Sequence, residues 1–229
     1  MQDTGHTTDT NTTDELNNGI LDEPPKENKP LLTILNCNAR SLCPKIESLI
    51  DCFNETDCTV AIITETWLRG GKEQEDVREL LEEGNDLSFI TKNRPEPAAN
   101  GVHYGGVAAV WRNSRCSMKE VSIVNPNNYE ILVTAGKLSG HTRKLVVLSC
   151  YIPPGYARSV GEGALDFIND AVVHVKQLYT DPYIIVAGDF NQWDISGALT
   201  DFPDLREAPV GQTRGDLSID KIFTNLSRQ

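Results

Sequence analysis

The sequence predicts an α/β fold built as a two-sheet β-sandwich flanked by helices, and three observations predict it. Strand-like apolar runs outnumber helical stretches. The helical stretches link particular strand pairs instead of alternating with every strand, which argues against a doubly wound sheet. With 229 residues, 39% hydrophobic and 24% charged, the chain is large enough to bury a core without disulfide or metal staples.

The elements follow in order. Residues 1–30 hold seven acids, two lysines and few apolar side chains, with Pro24 and Pro25 near their end. That composition predicts a disordered acidic leader before a single domain over 31–229. LLTILNCN (31–38) is a near-continuous apolar run, expected as a strand buried on both faces. KIESLIDCFN has apolar residues at 46, 49, 50 and 53, a helical spacing, with Pro44 suited to its first turn.

TVAIITE (59–65) is a second strand, and DVRELLEEG a second helix capped by Gly84. LSFITK, GGVAAVW, MKEVSIV (118–124), YEILVTAGKL and KLVVLSCY read as further strands. Turn signals at Asn113-Ser114, Asn125-Pro126 and Ser139-Gly140 separate most of the later ones. GALDFINDAVVHVKQLY is a long helix, YIIVAGDFN a strand, and SIDKIF the last strand.

The formal net charge is −12, of which the leader supplies −5 and the body −7. This excludes a non-specific nucleic-acid binder, whose affinity comes from Lys and Arg. A phosphate-directed enzyme remains open, because a bound divalent ion supplies positive charge locally. No apolar run approaches the ~20 residues of a membrane helix, and the polar N-terminus is no signal or transit peptide. The six cysteines show no CxxC pair, which argues against zinc and predicts a reducing setting, nuclear or cytoplasmic.

Polar groups recur where strands end: Asn36 and Asn38, Glu65, Tyr151, Asp189 with Asn191, and Asp220 inside SIDKIF. Each alone has an ordinary explanation, since strands must end and Asn, Asp and Glu favour turns. Their joint occurrence predicts a site. Phosphodiester hydrolysis needs charge neutralisation and an activated nucleophile. Magnesium prefers oxygen ligands and keeps several waters, so one or two carboxylates suffice to hold it. Glu65 is the expected metal ligand, with Asn38 beside it in the metal site, positioning the ion or the phosphate. Asp189 would orient or deprotonate the attacking water, Asn191 would hold that water or a phosphate oxygen, and Tyr151 would donate its hydroxyl to phosphate.

The ordered blocks LNCNARSL, ITETWL, SCYIPPG, AGDFNQW and QTRGDLSIDKIFTN resemble the endonuclease/exonuclease/phosphatase superfamily of DNase I and exonuclease III. More narrowly, TETWL, GGVAAVWRNS and TRGDLSIDKIFTN resemble the endonuclease domain of non-LTR, LINE-type retrotransposons. The resemblance covers about residues 31–226. It implies a four-layered, DNase I-like α/β/β/α sandwich with the site at one rim, magnesium or manganese as cofactor, and DNA as partner. It also implies a reverse transcriptase domain in the parent element. Asp220 matches a late Asp that pairs with a terminal His in the family, and Thr213 and Ser218 are neighbours in that pattern. Asn36 is a further expected substrate contact. Arg40, with Lys45, Arg69, Arg112 and Arg115, is either a DNA phosphate contact or ordinary surface charge.

The family's closing Ser-Asp-His is absent, and His6, His103, His141 and His174 all precede Asp220. The expectation is a C-terminal truncation that lacks the last strand and leaves a neighbouring strand edge unpaired. The expected function is a magnesium-dependent DNA endonuclease, in fragment form, that nicks target DNA. A catalytically inert remnant or binding module is the alternative. A phosphomonoesterase on inositol phosphates or nucleotides is disfavoured by GQTRGDLS, which lacks the aromatic and Asp-Arg block of the inositol phosphatase relatives.

Overall fold

The computed structural model describes residues 32–94, 103–209 and 219–226. The expected leader and the candidates Thr213 and Ser218 lie outside the described residues. The elements run β1 (Ile34–Asn38), α1 (Ile46–Thr56), β2 (Val60–Thr64), α2 (Gly71–Glu82), β3 (Leu87–Lys92) and β4 (Val107–Arg112). They continue with β5 (Cys116–Glu120), β6 (Ile131–Leu138), β7 (Lys144–Tyr151), α3 (Arg158–Leu178) and β8 (Tyr183–Asp189). The short α4 (Ile195–Ala198), β9 (Arg206–Glu207) and β10 (Asp220–Thr224) complete the described fold.

Two sheets form, a four-stranded one ordered β1-β2-β4-β3 and a six-stranded one ordered β5-β6-β7-β8-β10-β9. Strand alternation explains how they stack. From β2, Val60 and Ile62 meet Leu145 and Val147 of β7 and Ile185 and Ala187 of β8 in the layer between the sheets. The next-door residues Ala61 and Ile63 face the other way, onto Leu49 and Phe53 of α1 and Val77 and Leu81 of α2. On the far side, Val146, Leu148, Ile184 and Val186 pack against Phe167, Ile168, Val172 and Val175 of α3. The result is the expected α/β/β/α order of layers. Each fully buried Leu, Ile or Phe in it contributes about 1.5–3 kcal/mol of transfer free energy. No helix among the described residues is long and apolar enough to cross a membrane.

Four expectations need correction. β1 is only half-buried along its whole length, not buried on both faces, because it forms the edge of its sheet. β5 lies at Cys116–Glu120, and Val124 within the expected 118–124 strand is 87% exposed. Val121 still donates its N–H to the Val133 carbonyl, but the strand ladder ends at Glu120. Both α2 and α3 start several residues before their apolar periodicity does, over polar first turns. Finally, the expected strands do not include the two-residue β9, which pairs with β10 on the side away from β8. The open edges among the described strands are β1, β3, β5 and β9.

Candidate active site

Two parallel strand pairs point their C-terminal ends at one rim. In the smaller sheet β1 runs parallel to β2 and sets Asn38 beside Thr64, so Glu65 emerges next to Asn38. In the larger sheet β7 runs parallel to β8 and sets Tyr151 beside Asp189, while antiparallel β10 brings Asp220 against Asp189 from the other side. Parallel pairing with a helix in the connection places both strand ends on the same side, which a hairpin cannot do. Gly188 permits the close β7–β8 approach, since a Cβ there would stand 1.7 Å from the Cys150 carbonyl oxygen.

Side chains from the two sheets meet at this rim. Asn38 Nδ2 donates to Glu65 Oε1 at 2.7 Å and to Asp189 Oδ2 at 2.9 Å, tying the sheets together. The Tyr151 hydroxyl donates to the same Glu65 oxygen at 3.3 Å. Asn36 Nδ2 reaches the Gly188 carbonyl at 3.4 Å and Asp220 Oδ1 at 3.5 Å, leaving its own buried Oδ1 without a protein partner. The Asn191 backbone N–H donates to Asp189 Oδ1 at 3.0 Å, and its side-chain amide donates to the Ile152 carbonyl at 3.0 Å. Arg40 is exposed, and its backbone N–H holds Asn38 Oδ1 at 3.2 Å.

Glu65 is presented on unusual backbone. Its φ is 51°, and Trp67 follows at 55°, left-handed values that cost an L-residue about 1 kcal/mol or more each. Surrounding hydrogen bonds fix them. Ser41 N–H donates to the Glu65 carbonyl, while Thr66 and Trp67 N–H donate to the carbonyls of Gly106 and Gly105. Gly106 has to lack a Cβ, which would sit 2.5 Å from Thr66 Oγ1.

Burial divides the two carboxylates. Asp189 is 2% exposed, and that burial pushes its carboxyl above the usual aspartate range, with Asp220 and Glu65 adding like charge. The Asn38 amide and the Asn191 N–H hold it back only in part. Glu65 is half-buried and open to solvent. Burial, then the Glu65, Glu130 and Asp189 charges, push the Tyr151 phenol up, so it stays a hydrogen-bond donor at neutral pH.

Among the described residues, no three His, Cys, Asp or Glu side chains gather closely enough to hold a metal ion by themselves. The donor set nevertheless fits an ion that takes one or two carboxylates and keeps its waters, because every polar contact at Glu65 and Asp189 comes from oxygen- or amide-bearing groups. Asn38 sits here as the amide that orients both carboxylates.

Glu130 and Arg94 were not singled out in the sequence. Glu130 is 3% exposed, pairs with Arg94, and accepts the Gly106 N–H. One signal was available: an acid at the head of the strongly apolar run EILV is costly unless paired.

The profile of the Endonuclease/Exonuclease/phosphatase family matches residues 18–227. No curated protein matches the chain. Among solved structures, the human Nocturnin catalytic domain with bound sulfate aligns with a TM-score of 0.65 at 11% identity, covering 85% of this chain and 81% of that one. A mannosyl-6-phosphatase of Bacteroides thetaiotaomicron gives 0.59 at 12%, covering 84% and 85%. The endonuclease domain of TRAS1, a telomere-specific non-LTR retrotransposon, gives 0.54 at 14%, covering 84% and 83%. At these identities the likeness is one of fold.

Proposed function

The chain belongs to the endonuclease/exonuclease/phosphatase family, and on that premise we propose that it is a divalent-metal-dependent phosphodiesterase that nicks DNA, of the non-LTR retrotransposon endonuclease type. Members of the family are hydrolases acting on phosphodiesters or phosphate esters. The observation that carries the reading is the Asn38 amide bridging Glu65 and Asp189 across two sheets, with Tyr151 on Glu65 and Asp220 beside Asp189. The narrower assignment to DNA rests on the sequence blocks TETWL and TRGDLSIDKIFTN and accords with the TRAS1 fold.

The residues divide the work by environment. Asp189, with its raised proton affinity, takes a proton from the attacking water as that oxygen bonds to phosphorus and the ester oxygen leaves. Tyr151, kept protonated, donates to a phosphate oxygen. Asn191, on the turn after Asp189, orients the water or phosphate. Glu65 would hold magnesium or manganese, whose charge offsets that of the phosphate. Asp220 and Asn36 set the position of Asp189 from the flank.

The test is nicking of supercoiled plasmid by the full chain in magnesium, beside phosphate release from inositol phosphates and nucleotides. Wild-type protein should nick, and Glu65→Ala should lower the rate by about 10²-fold or more. Equal rates for the two proteins would refute the site. Phosphate release without nicking would favour a phosphomonoesterase, a reaction for which the fold also serves in the mannosyl-6-phosphatase. Neither activity would favour an inert binding module.

A further inference from the structure

Resting on the reading of the site as a DNA phosphodiesterase, we propose that Arg94 binds a DNA phosphate beside the reacting one, and that Glu130 is the positioning residue that aims it. Glu130 stands at the head of β6, where its carbonyl accepts the Tyr151 N–H at 2.9 Å. It is therefore the cross-strand neighbour of a site residue. Its Oε1 accepts from Arg94 Nε at 2.9 Å and from Nη2, and its Oε2 accepts the Gly106 N–H. Gly106 and Gly105 in turn accept the N–H groups of Thr66 and Trp67, directly after Glu65. A continuous line of hydrogen bonds thus fixes the Arg94 guanidinium relative to the carboxylate of the site.

Among the described residues, the guanidinium is held on one edge. A guanidinium has five donors in a rigid plane, and the Glu130 contacts use Nε and Nη2. No hydrogen bond among the described residues reaches Nη1, and the side chain remains 28% exposed. A purely structural ion pair needs no exposed amino group. Because the Glu130 backbone pairs with Tyr151, the guanidinium that Glu130 holds lies on the Tyr151 flank of the site. Glu65, Asp189, Asp220 and Glu130 together carry acidic charge that repels an approaching polyanion, and Arg94 is a preoriented cation among them. A small ester with a single phosphate has only the reacting group to offer, whereas a polynucleotide always brings a second phosphate. Arg94 therefore selects for nucleic acid over small esters that carry one phosphate.

The experiment measures binding of the full chain to a fluorescent duplex oligonucleotide in calcium, by anisotropy at several salt concentrations. Arg94→Gln should raise Kd about tenfold and reduce the log–log salt slope by about 0.9, the value for one lost phosphate contact. Because Arg94→Gln leaves Glu130 without its cation, the paired variant Arg94→Gln/Glu130→Gln, which keeps a neutral hydrogen-bonded pair, should show the same slope change. In turnover, the loss on DNA should exceed the loss on bis(p-nitrophenyl) phosphate, which has no second phosphate, by about tenfold. Wild-type binding with an unchanged slope in both variants would overturn the role of Arg94 and leave the functional reading intact. Equal losses on both substrates would reduce Arg94 to a structural partner and overturn it as well. Wild-type protein that does not bind the duplex would overturn the DNA reading, and this inference with it.

Discussion

The molecule contains two parallel strand pairs, β1–β2 and β7–β8, and they solve the same problem under different conditions. Both deliver oxygen-bearing side chains to the same rim. The β7–β8 pair lies in the middle of the six-stranded sheet, and Asp189 at its end is 2% exposed. The β1–β2 pair lies at a sheet edge, and Glu65 leaves it on left-handed backbone into a half-open position. One topology thus yields a carboxylate shut off from solvent, with raised proton affinity, and another that solvent reaches. Burial, more than residue type, separates the two.

The sharpest way to break the comparison is at the glycines that support each pair. Gly188→Ala sets a Cβ against the Cys150 backbone, which has nowhere to go, so a loss of more than about 4 kcal/mol in unfolding free energy is expected. Gly106→Ala meets the buried Thr66 hydroxyl instead of backbone, at a φ of 83°, and should cost about 1–3 kcal/mol. Equal costs in denaturant titration would mean the two ends are equally rigid.

Next come the carboxylates themselves. Glu65→Ala and Asp189→Ala should each lower magnesium-dependent nicking by about 10²–10³-fold. They should part on stability. Asp189→Ala strands the Asn38 amide and the Asn191 N–H, at about 1–3 kcal/mol, while Glu65→Ala leaves groups that water can reach. A larger stability loss in Glu65→Ala would reverse the assignment of buried and open partners.

Asn38→Asp probes the bridge. It replaces a double donor with a third carboxylate between two others, and should destabilise the chain by about 1–2 kcal/mol at neutral pH, with relief on acidification. Thermal melts at two pH values check it, and a penalty that does not shrink in acid would exclude charge repulsion as its source.

The smallest effect concerns pH and metal. The Asp189 carboxyl titrates above its ordinary range, so the folded, metal-free chain holds that proton more tightly than the unfolded one. Its stability contribution is full below the ordinary carboxylate range and is lost as pH rises through the raised value. A cation at the site competes with that proton. The rise in Tm on adding magnesium should therefore grow by a few degrees as pH climbs from the ordinary carboxylate range through the raised value. A pH-independent rise would show that the ion does not sense Asp189.

Much of this was legible in the chain itself. Near-continuous apolar runs in TVAIITE and YIIVAGD marked strands that the fold buries on both faces, and helical spacing marked the cores of α1 and α2. The same reading failed where burial depends on remote neighbours. LLTILNCN is as apolar as a central strand but sits at an edge, and MKEVSIV runs past the last pairing residue. In the site, Asn38, Glu65, Tyr151, Asp189 and Asp220 stood out because polar residues interrupt apolar runs there. Arg94 did not, since an arginine in NRPEP is indistinguishable from surface charge until the fold pairs it with Glu130, 36 residues away.

Local sequence determined which segments become strands and that several would end on oxygen-bearing side chains, because hydrophobic periodicity and turn chemistry act over a few residues. Only the tertiary structure decided that Asn38 would bridge Glu65 and Asp189, residues separated from it by 27 and 151 positions. It also decided that one carboxylate would be dry and the other wet. Proton affinity depends on the dielectric and charges around a group, and those are supplied by whatever the packed sheets bring alongside it.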